Sequence, residues 1–398
     1  MTQHIAFLAL FLFFYLLVSA RLEKTLISGA LLFVLIGWAV GPRGLHWLSF
    51  PVGEEGLSLL AELTLAVVLF SDAAHARLHI LCKTHRFPER LLGIGLPLTL
   101  LLGWVIAKEL FPEFTWVDAA LLATILAPTD AALGKAVMIR KEVPAPISEA
   151  LNVESGLNDG ICVPVMVALL SLSGSPASAS GWPILLLLLQ KVGIGIVVGA
   201  GLAFLGERWV KICTRRNWSH KQVTSLAVVS LSFACFSVAE LWGGSGFIAC
   251  FVGGLVYGAL SKQEQHHPFL SSEAPGDGLS LITWVVFGGT VVGQSVPYLS
   301  WRSMLFSLLS LTLIRMLPVC ISLLGSGLNR SEKFFIGWFG PRGLASVVFV
   351  VMLLNRNLPQ APLIASISMS TILLSVMLHG LSANPLVKRF GAAEAAGS

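Results

Sequence analysis

The sequence predicts an all-α integral membrane protein of about thirteen transmembrane helices. Three observations lead there. Hydrophobic residues make up 55% of the 398 and charged residues 12%, with a mean hydropathy of +0.82, a composition suited to the bilayer as solvent. Apolar stretches of about 20 residues, enough to cross some 30 Å of hydrocarbon, recur along the chain. Lys and Arg gather in alternate loops, as cytoplasmic loops do.

The stretches fall at roughly 4–20, 25–41, 57–73, 91–107, 117–137, 149–171, 182–206, 223–241, 245–260, 277–293, 303–324, 334–354 and 361–382. The first has no Lys or Arg in Met1-Thr2-Gln3-His4-Ile5, so it reads as an uncleaved helix rather than a signal peptide ending at Val18-Ser19-Ala20. Glu54 and Glu55 precede the third span. Arg77, Lys83, Arg86 and Arg90 separate the third from the fourth, and Glu109 and Glu113 the fourth from the fifth. Arg140 and Lys141 follow the fifth, and an uncharged Ser/Gly/Ala-rich loop, Ser171–Gly181, follows the sixth. Arg208, Lys211, Arg215, Arg216 and Lys221 divide the seventh from the eighth, and Lys388 and Arg389 follow the thirteenth. All of these cations fall on one side of a thirteen-span chain. That side is the cytoplasm, which puts the N-terminus outside and the C-terminus inside. Residues 1–390 form a single transmembrane unit and 391–398 a short cytoplasmic tail.

Composition also excludes functions. The excess of 26 Lys and Arg over 21 Asp and Glu is loop bias, and with no basic run or helix-turn-helix pattern no nucleic-acid partner is expected. Cys162, Cys235, Cys250 and Cys320 lie in apolar spans, and Cys82 and Cys213 in basic loops, without disulfide or metal spacing. No Gly-x-Ser-x-Gly or His-Glu-x-x-His motif suggests an enzyme, and no selectivity loop suggests a cation channel. Neither a cofactor nor a catalytic residue is expected. His75, His79 and His85 read as part of a solvated basic loop rather than as a pH sensor. Gly244–Cys250 in the ninth span has the texture of close helix contact.

Against this apolar background, two segments carry carboxylates: Ala127-Pro128-Thr129-Asp130 and Asn152-Val153-Glu154-Ser155-Gly156-Leu157-Asn158-Asp159-Gly160. An ionisable side chain inside a span costs several kcal/mol unless paired or watered, so it marks an ion or proton path. Pro128 in the fifth span and Pro341 in the twelfth each remove a helical hydrogen bond, freeing the carbonyls of Thr124 and Gly337. Gly337, Gly340 and Gly343 around Arg342 reinforce the second break. The two spans run in opposite directions, and interrupted helices in matching positions of inverted repeats point to a transporter's midplane site. On the sixth span Glu154, Ser155, Asn158 and Asp159 fall within roughly 140° of one helix face, and Pro164 is expected to loosen the backbone at Gly160. Carboxylate, hydroxyl, amide and freed carbonyl oxygens suit a hard monovalent cation. The same carboxylate can take a proton instead.

These residues, with Arg315 in the eleventh span and Gly340-Pro341-Arg342-Gly343 in the twelfth, resemble the monovalent cation/proton antiporters, specifically the prokaryotic sodium/proton antiporters related to animal sodium/proton exchangers. The resemblance covers the whole transmembrane chain. It implies crossed discontinuous helices, a homodimer, and a dimerisation domain beside a core domain of roughly 91–171 and 277–382 that moves as an elevator. It implies that Asp159 is the shared cation and proton carboxylate, with Ser155 and the Thr129 carbonyl as further sodium ligands. Asp130 would offset helix N-termini at the crossing, and Asn158 stands where electrogenic relatives have a second Asp. Arg315 needs a buried anion, which the resemblance suggests is Glu154. Arg342 has two readings, binding helix C-terminal carbonyls or guiding the cytoplasmic path. One departure is Ala131 where many members have Pro, with Pro128 ahead of the pair instead. Glu62, Asp72, Asp118, Lys135, Lys191 and Glu240 read as interfacial or packing charges. The expected activity is electroneutral exchange of sodium, or lithium, for protons across the cytoplasmic (inner) membrane, with lipid as the surroundings; a potassium/proton antiporter is the alternative.

Overall fold

A computed structural model describes residues 10–11, 13–17, 29–47, 55–75, 87–130, 133, 143–173, 181–218, 221–261, 274–356 and 358–395. Among the described residues the chain is helical throughout, with no strand. Helical residues 13–17 form α1, followed by α2 (Gly29–Val40), α3 (Glu55–His75), α4 (Phe87–Leu110), α5 (Trp116–Ile125), α6 (Ala145–Ser173), α7 (Gly181–Arg215), α8 (Lys221–Leu241) and α9 (Gly246–Ser261). Then come α10 (Ala274–Phe287), α11 (Trp301–Ser322), α12 (Arg330–Trp338), α13 (Leu344–Leu354) and α14 (Ala361–Ala395). The expected spans thus appear in order, with the twelfth split into α12 and α13. Glu54, Arg77, His79, Cys82, Lys83, His85, Arg86, Ala131, Lys135, Arg140 and Lys141 lie outside the described residues, as do most of the loop after the sixth span and, for the signal-peptide question, residues 1–9 and Val18-Ser19-Ala20.

Local chemistry explains the helix ends. Thr115 and Asp118 form a capping box at the start of α5, and Asn329 and Glu332 another at α12; each satisfies amide groups that a helix leaves without partners. Asp118 is therefore a cap, and Glu240 likewise accepts from Gly246 N–H at the start of α9, at 2.8 Å. His75 bonds its own helix at the Ser71 carbonyl.

Interruptions have proline or glycine causes. In α4 the turn Leu91–Gly95 widens, with Leu96 N–H bonded to Leu91 O, because the ring of Pro97 would clash with the carbonyl of Gly93 in a tight turn. A similar wide turn, Gly288–Val292, extends α10. α11 is broken at Thr312, whose φ and ψ are −108° and −88°, with Pro318 shortly after. By contrast α6 runs through Pro164 without a break. The expected loosening at Gly160 does not take the form of an interruption, because the Phe251 ring of α9 lies flush against Gly160 and holds the turn.

Two groups of helices flank α6. On one side α3, α7, α8 and α9 pack on each other; on the other are α4, α5, α11, α13 and α14, and α6 touches members of both. Lipid leaves little hydrophobic drive between helices, so backbone proximity carries the association. Gly254 and Gly258 of α9 show this, since a methyl group at either would overlap the Phe70 or Ala74 carbonyl of α3.

Candidate functional site

The fifth and twelfth spans break where their prolines require it. α5 stops at Ile125 because the residue before Pro128 disfavours helical backbone, and α12 stops at Trp338, ahead of Pro341. Of the two carbonyls expected to be freed, that of Thr124 is not. Thr124 O is taken up by the turn through Leu126 and Ala127 N–H. The carbonyls that face the crossing are those of Ala127 and Pro128.

At the crossing each broken span completes the other. Asp130 N–H donates to Pro341 O at 2.8 Å. The Asp130 carboxylate accepts from Leu344 N–H, the first residue of α13, at 3.0 Å, and from Leu133 N–H at 3.2 Å. Arg342 Nη1 donates to Ala127 O at 2.7 Å and Pro128 O at 3.2 Å. A negative charge therefore sits at a helix N-terminus and a positive one at a helix C-terminus, the pairing that helix dipoles favour. Of the two readings for Arg342, binding C-terminal carbonyls is the observed geometry. Arg342 is fully buried.

Gly343 is required by this approach. A Cβ there would overlap Asp130 Oδ2, so Gly343→Ala is expected to displace the carboxylate from Leu344 N–H, a charge-assisted bond worth about 1.5–3 kcal/mol. The variant should melt earlier. Wild-type melting would show that the crossing yields to a methyl group.

The polar arc of α6 meets the fifth-span break directly. Thr129 Oγ1 lies 2.9 Å from Ser155 Oγ and accepts from Asn158 Nδ2 at 2.7 Å. The Thr129 carbonyl accepts no backbone hydrogen bond from the described residues. Thr129, Ser155, Asn158 and Asp159 are all buried, Asp159 at 6% exposure. Asp159 Oδ1 and Asn158 Oδ1 have no hydrogen-bond partner among the described residues. A buried acceptor without a donor is costly, and two beside hydroxyl oxygens make a set that a hard cation or a proton would satisfy. Asp72 of α3 and Asp130 both act electrostatically on Asp159, and Asp72 packs on Gly156, one turn away.

Glu154, on the same arc, is engaged elsewhere. Arg315 grips it in a fork, Nη1 to Oε1 at 2.6 Å and Nη2 to Oε2 at 2.8 Å, with both side chains buried. Such bidentate pairs fix orientation as well as charge. Gly340 lies against Arg315, where a Cβ would stand 2.5 Å from Nε, so the pair is wedged beside the twelfth-span break.

Thus Thr129, Ser155 and Asn158 come together, with Asp159 buried next to Asn158 on α6, Asp130 and Arg342 form the crossing, and Glu154 and Arg315 pair beside it. Sequence reading passed over Asp72, set aside with the packing charges, and over Phe251, whose ring covers Gly160. It also passed over Ser375 and His379 of α14. A histidine within an apolar span, one turn after a serine, was the signal available.

The model of the family "Sodium/hydrogen exchanger, transmembrane" matches residues 8–389. A Na(+)/H(+) antiporter of Schizosaccharomyces pombe is 26% identical over 410 residues, covering 92% of this chain and 85% of the relative. The K(+)/H(+) antiporter NhaP2 of Shewanella sp. (strain MR-4) is 24% identical over 372 residues, 92% of this chain; the chain spans only 62% of that relative's length. The sodium proton antiporter MjNhaP1 of Methanocaldococcus jannaschii has the same fold, with a TM-score of 0.81 at 24% identity over 98% of this chain and 99% of that one.

Proposed function

We propose that this chain, which belongs to the sodium/hydrogen exchanger family, is an antiporter that expels sodium, or lithium, in exchange for external protons. The observation that carries the reading is the contrast among three carboxylates. Glu154 is held by Arg315 and Asp130 by the start of α13, whereas Asp159, next to Asn158 on α6, presents an oxygen without a hydrogen-bond partner among the described residues. Only Asp159 is left to exchange its occupant. The Thr129 carbonyl, the Ser155 hydroxyl and the Asp159 carboxylate would hold sodium, and Asp159 alone would hold the proton. Access would alternate as a core domain of roughly 91–171 and 277–382, α12 included, moves against a dimerisation domain that holds α3, α7, α8 and α9 in a homodimer. The N-terminus would face outward from the cytoplasmic membrane, as the loop cations favour. Proteoliposomes with an imposed pH gradient, given sodium, lithium or potassium in turn, test the reading. Sodium- or lithium-driven collapse of the gradient is expected, and no response to any cation would sink it.

A potassium/proton reading is favoured by one observation, the name of the Shewanella relatives, and oxygen donors alone do not select ion size. The potassium arm decides between the two.

One exchangeable carboxylate also sets stoichiometry. With Asn158 in place of a second aspartate, each half-cycle moves one positive charge, so exchange is one for one and insensitive to membrane voltage. In vesicles clamped at different potentials, rate and end point are expected to stay constant. A reproducible shift with voltage would mean a second proton site, and Glu154 would be examined first.

A further inference from the structure

In an unbroken twelfth span the Arg342 N–H would bond the Trp338 carbonyl, four residues back. The break through Gly340–Gly343 separates them, and α14 spans the gap. Arg342 N–H donates to Ser375 Oγ at 2.8 Å. Ser375 Oγ lies 3.2 Å from His379 Nδ1, and His379 Nε2 lies 2.7 Å from Trp338 O. Ser375 and His379 are one helical turn apart, on one face of α14. Their side chains are buried, as is Arg342.

We propose that Ser375 and His379 are positioning residues that replace the missing helical hydrogen bond with a relay. Arg342 N–H donates to the Ser375 hydroxyl, the hydroxyl donates to His379 Nδ1, and His379 Nε2–H donates to the Trp338 carbonyl. A neutral ring with its proton on Nε2 gives each donor of the chain an acceptor, at the expense of setting the Nδ1 lone pair 2.8 Å from the Ser375 carbonyl. The other neutral tautomer would set a lone pair against Trp338 O. A doubly protonated ring would turn its Nδ1–H to the Ser375 carbonyl, 2.8 Å away, and leave the hydroxyl hydrogen without the ring as acceptor. The charged groups acting on the ring are Arg342, from the break, and Arg315, from α11; neither offers an acceptor.

Trp338 is further tied to the same face of α14. Its ring stacks on His379 with centroids 5.2 Å apart, and its Nε1–H donates to Ser382 Oγ at 2.9 Å. Ser375, His379 and Ser382 form an i, i+4, i+7 stripe that fixes the end of α12 and, through Arg342 N–H, the approach to α13. The guanidinium of Arg342 reaches the end of α5 from this anchored backbone. α14 therefore sets where the crossing stands, and in the antiporter reading it travels with the crossing as one body.

Four single variants of the full chain test the relay: Ser375→Ala, Ser375→Thr, His379→Leu and His379→Gln. Thr keeps the hydroxyl, and Gln keeps a donor and an acceptor at the ends of a side chain of similar reach. Hydrogen–deuterium exchange over residues 338–344 is read on the purified protein, and cation-driven proton flux in proteoliposomes. Loss of one hydrogen bond of about 1.4 kcal/mol is a ten-fold effect, so Ser375→Ala and His379→Leu are expected to speed exchange of the Arg342 amide about ten-fold and to slow flux comparably. Thr and Gln should stay within about two-fold of wild type, and the double variant Ser375→Ala/His379→Leu should speed exchange of the Arg342 amide no more than Ser375→Ala alone, since loss of the hydroxyl already cuts the relay at that amide. If His379→Leu fails to fold, Ser375→Ala, which keeps the ring, carries the test with its Thr rescue. Unchanged amide exchange in Ser375→Ala, failure of the Thr or Gln variants to rescue, or a pH profile of flux flattened by His379→Gln would overturn the assignment. Should the wild type move no cation, the antiporter reading falls while the amide exchange still decides the relay.

Discussion

Asp159→Asn is expected to reduce cation-dependent proton exchange to the level of empty vesicles while the protein still folds. The substitution keeps the size and one oxygen of the side chain but removes both the charge that attracts a cation and the group that takes a proton. Because Asp159 Oδ1 has no hydrogen-bond partner among the described residues, replacing that oxygen strands no described donor, and stability should stay near wild type. Size-exclusion behaviour and melting temperature report the fold, and flux in proteoliposomes the function. Substantial sodium- or lithium-driven flux in the purified variant would move the site elsewhere. Glu154 and Asp130 would be poor replacements, being held by Arg315 and by Leu344 N–H.

The second large effect is expected at the Glu154–Arg315 pair. Truncating one member of a buried ion pair leaves the other charge in a low-dielectric interior, at a cost of about 3–5 kcal/mol. Glu154→Ala and Arg315→Ala should each be strongly destabilised, and the double variant should lose much less than the two losses added together. The fork geometry, the burial of both partners and the seat of Arg315 against Gly340 all tie the pair to the crossing. Melting of the four proteins forms a double-mutant cycle. Additive losses would count against a coupled pair. Replacement of both by apolar residues of similar volume should restore much of the stability, since desolvation of the pair opposes its attraction.

How far the site was legible can be judged residue by residue. Asp130, Glu154 and Asp159 were conspicuous because charge inside an apolar span is expensive wherever it falls. Pro128 and Pro341 marked breaks because a missing N–H acts through local backbone alone. Local chemistry did not reveal which carbonyls the breaks expose to a partner. The rule that a proline frees the carbonyl four residues back pointed to Thr124, yet the turn closes on that carbonyl and Arg342 takes those of Ala127 and Pro128. Thr312 escaped notice for the same reason, since Pro318 signals strain in the eleventh span without saying at which residue the helix yields.

By itself the sequence determined the class and the candidates: a chain of about thirteen apolar spans, two of them broken, with a polar arc on the sixth. Those properties follow from hydropathy, helical period and the missing amide of proline, all of which act within a few residues. Only the tertiary structure decided the partners. That Arg342 serves α5, that Asp130 serves α13, and that Ser375 and His379 reconnect Arg342 with Trp338 depend on helices distant in sequence meeting at one point. Hydrogen bonds between such helices are selected by distances of about 3 Å, and hydropathy carries no information at that scale.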